Sequence, residues 1–126
     1  MINEFIEMYN LPKDSIFKRA ELEDALIKEY GCLHYNMLPE WTEKDTGFEH
    51  PTTYYAHAKE DWGDYGLSSE DCLSPEKALI NLFVKYGREK TEDEFDDMDD
   101  YYNYMDNFNQ SRKLKRIVEE VYGTIS

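Results

Sequence analysis

Apolar residues recur at helical spacing in three segments before position 90, and each spacing predicts a helix. The first helix ends ahead of Pro12, since proline disfavours helical geometry in the residue before it. The second ends at Gly31, and the third starts with Ser74 as its cap. The predicted helices cover residues 2–9, Arg19–Tyr30 and Pro75–Gly87.

Between the second and third helices the apolar period changes from helical to alternating. Residues 33–38 alternate in this way up to Pro39, which predicts a strand. Thr52–Lys59 is a second predicted strand, and Trp62–Leu67 is predicted to form a turn with a short third strand. The segment Trp41–Pro51 is predicted to be a loop.

These elements predict a small α+β protein. It has two N-terminal helices, a mostly antiparallel sheet of two or three strands, a central helix and a bent acidic C-terminal helical segment. The 126 residues, 40% of them hydrophobic and 15% aromatic, fit a single folded domain over residues 1–126. No internal repeat and no proline- or glycine-rich linker divides the sequence.

The stretch Glu92–Asp106 contains eight carboxylates and no basic residue. Thr91 and Glu94 form a capping-box pattern that predicts the start of a helix. The apolar positions that would pack this helix are Phe95, Met98, Tyr102 and Met105. Their register breaks over residues 107–111, which predicts a bend, with Ser111 capping a last helix at Arg112–Tyr122. The four cations at Arg112–Arg116 are expected to fold back and compensate the acids, or to pair along a helix face.

The net charge is −14, from 28 acidic and 14 basic residues, and the acidic stretch supplies eight of those negative charges. Such a field repels nucleic acid and anionic membranes and attracts basic surfaces. The predicted partner is therefore the basic surface of a nucleic-acid-binding protein, with no direct binding to nucleic acid or membrane. The competing interpretation is a solvated helix face or a partly disordered acidic loop that binds nothing. The predicted partner-binding residues are Glu92, Asp93, Asp96, Asp97, Asp99, Asp100, Tyr101, Tyr104 and Asp106.

The sequence gives little support for metal binding or for catalysis. No window matches a twelve-residue calcium loop. Cys32, His34, His57 and Cys72 could be imagined as zinc ligands, but they lack paired spacing, and separate roles are favoured. His57 beside Glu60 or Asp61 is an unspecific acid–base pair. We therefore predict no enzyme activity, no metal and no cofactor.

The N-terminus lacks the charged and apolar regions of a secretion signal, which predicts a cytoplasmic protein. In that reducing compartment Cys32 and Cys72 are expected to be free thiols, although the sequence leaves a single bridge open.

Two stretches of the chain resemble small accessory proteins of bacteriophage genomes. In those proteins a short meander, here Tyr54–Gly66, leads into a helix of Ser-Pro-Glu-x-Ala-Leu type, here Leu73–Phe83. The resemblance covers about a quarter of the chain. The Asp- and Tyr-rich composition also resembles phage anti-defence proteins. That resemblance implies a DNA mimic that inhibits a host nuclease, an anti-CRISPR protein against a Cas9-type effector; an anti-restriction inhibitor and a non-inhibitory scaffold module are the alternatives.

Overall fold

A three-stranded antiparallel sheet carries the helices on one of its faces. The computed structural model describes residues 2–59, 66–87 and 98–123, and at positions 59, 66 and 98–108 it describes the backbone alone. The elements of this part of the chain are α1 Ile2–Met8, α2 Arg19–Tyr30, β1 Cys32–Leu38, β2 Trp41–Thr42, β3 Glu49–His50, β4 Thr53–Lys59, β5 Gly66–Ser68, α3 Pro75–Gly87 and α4 Met98–Tyr122. The predicted α+β class is confirmed.

The main sheet has the strand order β1-β4-β5, with antiparallel pairing throughout. Tyr35 lies opposite Ala56, while Ala58 lies opposite both Leu33 and Leu67. Residues directly opposite each other share a face, so these five residues mark the face that α2 and α3 cover. The two alanines are completely buried, and their small side chains let the helices pack close to the sheet.

Helix α3 lies at the centre of the hydrophobic core. It packs against α1, α4, β4 and β5, and six of its thirteen residues are buried. Its buried face includes Ile80 and Val84 and is therefore broader than a single helical stripe. The predicted cap is present: Ser74 Oγ accepts a hydrogen bond of 3.1 Å from the backbone N–H of Lys77. Helix α3 therefore contacts both the sheet and two of the other helices.

Helices α1 and α2 complete the core around α3. Phe5 of α1 packs edge-on against both Phe17 and Phe83, with ring centroids 5.6 and 5.8 Å apart. Helix α2 covers β1 and contacts α4, and Leu22 and Leu26 are fully buried. The chain reverses directly from α2 into β1, because Gly31 adopts a φ of 101°, in the left-handed region that glycine tolerates best.

Strand β1 forms one edge of the sheet in the described part of the chain. None of its seven residues, Cys32–Leu38, is charged at pH 7 with histidine neutral, although a third of the whole sequence is charged. Edge strands in soluble proteins are usually protected by charged residues, by proline or by a bulge. Within β1, neither a charged residue nor a proline interrupts this edge.

The prediction of a loop over Trp41–Pro51 is wrong. Two short strands, β2 and β3, form a hairpin there, in which Trp41 lies opposite His50. The backbone N–H of Gly47 donates to the carbonyl oxygen of Glu43 across 2.9 Å, and Gly47 has a φ of 73°. This tight turn fixes the pairing of two strands that are too short to show an alternating pattern.

The prediction of a separate last helix beginning at Arg112 is also wrong. Helix α4 passes through residues 107–111 without interruption, and Ser111 is a buried residue in its interior and not a cap. Among the helices that the structure describes, none has the length and the apolar content required to cross a membrane.

Candidate functional site

The predicted partner-binding residues divide into two groups. Asp99, Asp100, Tyr101, Tyr104 and Asp106 lie on α4, where the structure describes their backbone. The remaining four lie outside the described residues: Glu92, Asp93, Asp96 and Asp97. The surface that these nine residues would form remains a prediction, and what the structure adds is the helix that carries five of them.

The C-terminal half of α4 is anchored in the protein. Leu114, Ile117 and Val118 are at most 2% exposed. The hydroxyl of Tyr30 donates a hydrogen bond of 2.6 Å to Oε1 of Gln110, so a polar residue also joins α4 to α2. The direction of the helix axis is therefore set by core packing.

The acidic positions of α4 follow the line of its buried residues. Asp99 precedes Ile117 by eighteen positions, about five turns at 3.6 residues per turn, and Asp100 precedes Val118 by the same interval. Each pair therefore shares one side of the helix and is separated by about 27 Å along its axis.

The same phase relationship explains why the sequence pattern predicts a bend. At about 100° per residue, positions Met98 and Met105 fall on a different side of α4 from Ile117. An apolar stripe that changes sides looks like two helices when it is read from the sequence. Here one continuous backbone carries both stripes.

Two of the four cations of the basic cluster of α4 contact α2, whereas the side chains of the acids onto which the cluster was predicted to fold are not among those that the structure describes. Arg116 pairs with Glu29 of α2 across 2.9 Å, and Lys113 Nζ lies 5.6 Å from the centre of the Tyr30 ring. No lysine or arginine is three or four positions from Asp99, Asp100 or Asp106 in the sequence, the spacing at which helical side chains pair. The sequence therefore places no cation at pairing distance along the helix from these three acids.

The four residues considered as zinc ligands are divided between the two faces of the sheet. His34 lies opposite His57 on the face that the helices leave open, whereas Cys72 pairs with Tyr54, whose side of β4 is the covered one. Among the described residues, no group of three or more His, Cys, Asp or Glu side chains is placed to hold a metal ion. The acids predicted to pair with His57, Glu60 and Asp61, lie outside the described residues.

The sheet also separates the two cysteines. Cys32 is opposite Lys59 of β4, while Cys72 is opposite Tyr54, five positions further back along the same strand. Five positions correspond to about 17 Å, and a disulfide needs Cα atoms within about 7 Å. Both cysteines are thiols, and the bridge that the sequence left open does not form.

The hairpin β2–β3 presents an aromatic cluster that the sequence prediction missed. The rings of Trp41 and His50 stack with centroids 4.2 Å apart and planes 7° apart, and Phe48 meets His50 edge-on at 4.7 Å. Trp41 remains 56% exposed and Phe48 59% exposed. The signal available in the sequence was the turn Asp45-Thr46-Gly47 between two segments that contain aromatic residues.

Glu43 holds the turn of this hairpin together. Its carboxylate accepts a hydrogen bond of 2.7 Å from the hydroxyl of Thr46, and Oε1 lies 2.7 Å from Nε2 of His50. The Thr46 hydroxyl, and secondly His50, lower the pKa of the Glu43 carboxyl below its usual value of 4.5. The ring of His50 is therefore fixed at one end by Glu43 and on one face by Trp41.

Two clefts flank the stacked pair of Trp41 and His50. The first, of about 350 Å³, is also lined by Glu40, Thr42 and Glu49. The second, of about 270 Å³, is more apolar, and its remaining lining residues are Leu38, Pro39, Pro51, Thr53 and Asp71. An exposed aromatic pair thus stands between an acidic cleft and an apolar one.

Comparison with known proteins identifies no relative. No protein-family model matches the chain. No curated protein and no solved structure matches it either.

Proposed function

We propose that this protein is a non-enzymatic, acidic inhibitor that binds the basic nucleic-acid groove of a host defence nuclease. In its specific form it is a phage- or mobile-element-encoded anti-CRISPR protein that mimics DNA phosphates, with a Cas9-type effector as its target. The observation that supports this proposal is the continuous helix α4, which joins an acidic end to an end anchored in the core.

A partner that grips DNA needs negative charges at defined positions and not merely negative charge. Asp99, Asp100 and Asp106 sit on a backbone whose other end is immobilised by Leu114 and Ile117, so the spacing of their Cα atoms is fixed. A disordered acidic tail would lose conformational entropy on binding, and a preformed helix avoids much of that loss.

The charge density of the acidic stretch is comparable in order to that of DNA. Glu92–Asp106 contains eight carboxylates in fifteen residues. An ideal helix of this sequence, with a rise of about 1.5 Å per residue, would carry roughly one charge per 2.8 Å, against about one per 1.7 Å of duplex DNA. Tyr101 and Tyr104, two of the three tyrosines of the stretch, are of a residue type that is enriched at protein interfaces.

A charge-neutralisation experiment tests this proposal. Purified protein is added to a Cas9-type effector in a DNA-cleavage assay, alongside a variant with Asp96, Asp97, Asp99 and Asp100 changed to asparagine. The control variant removes four charges elsewhere by changing Glu21, Glu76, Glu119 and Glu120, all exposed, to glutamine. We expect the asparagine variant to inhibit at least about tenfold less well, and the control to stay within about twofold of the parent protein.

Salt and competing DNA supply two further measurements. Inhibition by charge mimicry should weaken as sodium chloride rises from about 50 to 300 mM, because screening shortens the range of the interaction. Excess duplex DNA should displace the inhibitor from its target. Full inhibition by the asparagine variant would refute the mimicry.

Two other functions remain open as alternatives. The same acidic surface could inhibit a restriction-modification enzyme, and the cleavage assay is then repeated with such an enzyme as the target. A scaffold module would be indicated if a captured host partner were not a nuclease.

A further inference from the structure

The hairpin β2–β3 holds a large aromatic side chain at the surface in a fixed orientation. Trp41 is more than half exposed, yet its ring is stacked on His50, and His50 is held in turn by Glu43. An exposed tryptophan that is already ordered loses little side-chain entropy when a partner covers it. Tryptophan is also among the residues that contribute most to binding at protein interfaces.

Carboxylates surround this aromatic cluster. Glu40 and Glu49 line one of the two clefts that Trp41 borders, and Asp71 lines the other. Between Glu40 and His50 the chain carries four acids and one base, Lys44. The charge around Trp41 is therefore negative, and a positively charged group would be attracted to this surface.

We propose that the hairpin β2–β3 is a docking surface for a basic segment of a protein partner, one that carries an arginine next to an apolar side chain. The surface consists of Trp41, His50, Glu40, Glu49 and Leu38. It is separate in sequence from the acidic positions of α4 and does not depend on the function proposed for them.

Arginine fits the two clefts better than lysine does. Its planar guanidinium stacks on an aromatic face and pairs with a carboxylate in two parallel hydrogen bonds, and here both groups line the same cleft. The neighbouring apolar side chain has a place in the second cleft, beside Leu38, Pro39 and Pro51. One short peptide segment can thus occupy both of the clefts that Trp41 lines.

Charge argues against the other occupants of such a surface. An aromatic platform can also stack nucleic-acid bases, but the carboxylates Glu40, Glu49 and Asp71 would repel the phosphates. A second copy of the chain would bring two proteins of charge −14 together. A basic protein segment is the occupant that the surrounding charge favours.

A peptide-binding measurement tests the proposal on the full chain. The probe is a fluorescein-labelled twelve-residue peptide of alternating arginine and leucine, and a peptide of alternating glutamate and leucine is its control. Binding is followed by fluorescence anisotropy in the variant with Asp96, Asp97, Asp99 and Asp100 changed to asparagine, which removes four of the eight negative charges of the acidic stretch. We expect the arginine peptide to bind with micromolar affinity and the glutamate peptide not to bind.

Substitutions in this background then locate the site. Trp41→Ala should weaken binding by at least about tenfold, and Glu40→Gln with Glu49→Gln should weaken it and reduce its salt dependence. Ile27→Ala, which removes another exposed apolar side chain from α2, should change affinity by less than about twofold. Because Trp41 is exposed, circular dichroism should show an unchanged fold in its variant.

Four results would overturn the proposal. The first is the absence of binding by the arginine peptide, and the second is equal binding by the glutamate peptide. The third is a Trp41→Ala variant that binds as well as its parent. Sedimentation that shows a dimer dissociated by Trp41→Ala would also overturn it, since the occupant would then be a second copy of the chain.

Discussion

The hydroxyl of Tyr9 donates a hydrogen bond of 2.9 Å to the backbone carbonyl of Phe83, and so joins the loop after α1 to the centre of α3. Burial, and secondly the nearby Tyr30, raise the pKa of the Tyr9 phenol well above its usual value of 10. Burial, and then the hydrogen bond to Glu23, also raise the pKa of Tyr35. Two tyrosines are therefore kept protonated by the fold.

We expect the protein to lose stability at alkaline pH. A group whose pKa is higher in the folded state stabilises that state fully below the unfolded pKa, here about 10, and the stabilisation is lost as pH rises above it. Urea unfolding between pH 8 and 11.5, with tyrosinate absorbance recorded in parallel, measures the effect. Tyr9→Phe should cost about 1 kcal/mol at pH 8 and should reduce the loss above pH 10. Equal unfolding free energies at pH 8 and pH 11 would contradict this prediction.

Gly87 closes α3 against the end of α1. A Cβ atom at this position would overlap the hydroxyl of Tyr9 and the terminal methyl of Met8. The Met8 side chain can move, but the Tyr9 ring is held by its hydrogen bond to Phe83. Gly87→Ala should therefore lower the unfolding free energy by about 1–3 kcal/mol, despite the better helix propensity of alanine.

The control for Gly87→Ala is Lys77→Ala, an exposed position of the same helix. Its unfolding free energy should change by less than about 0.5 kcal/mol. Urea denaturation monitored by circular dichroism compares the two variants. A Gly87→Ala protein as stable as the parent would contradict this prediction, because it would show that Met8 and Tyr9 can move away from the new methyl group without loss of unfolding free energy.

The anchoring of α4 depends on apolar burial much more than on its ion pair. Leu114 is fully buried, so Leu114→Ala should cost about 2–5 kcal/mol. Arg116 pairs with Glu29 but is 58% exposed, so Arg116→Ala should cost no more than about 1 kcal/mol. Chemical denaturation of both variants measures the difference, and a larger loss for Arg116→Ala would contradict this account of the anchor.

The hydrogen bonds in the turn of the β2–β3 hairpin can be tested through the pKa of Glu43, measured in an NMR titration. The carboxyl carbon of Glu43 should titrate with a pKa below 4.5, since Thr46 and His50 favour its charged form. The contribution of this carboxylate to the hairpin is present above pH 4.5 and is lost as pH falls through the lowered pKa. Thr46→Ala should move the pKa of Glu43 back toward its usual value, whereas an unchanged pKa would show that the Thr46 hydroxyl is not responsible.

The helices of the first 90 residues were predictable because residues at their own ends determine where they begin and stop. Ser74 and Gly31 mark helix ends through a side-chain oxygen and a left-handed backbone, and neither effect depends on the rest of the fold. Which face of β4 is buried was not predictable, because Tyr54, Tyr55 and His57 suit either environment. The decision depends on the helices that cover the alanines of that strand.

The candidate sites were harder to predict for two physical reasons. The strands Trp41–Thr42 and Glu49–His50 are too short for a periodic pattern, so the aromatic cluster exists only through their pairing. In α4 the polar residues Gln110 and Ser111 resemble a helix end, yet the first accepts a hydrogen bond from Tyr30 and the second is buried. Tertiary contacts outweigh local preference at both places.

The net charge of the protein also affects its solubility, because it opposes the pairing of two copies through the edge strand β1. Seven consecutive backbone positions without a charged side chain are a template for pairing with another copy. At neutral pH a charge of −14 on each molecule opposes that encounter. Near the isoelectric point of about 4.5 this repulsion disappears, and solutions of the protein should become turbid there.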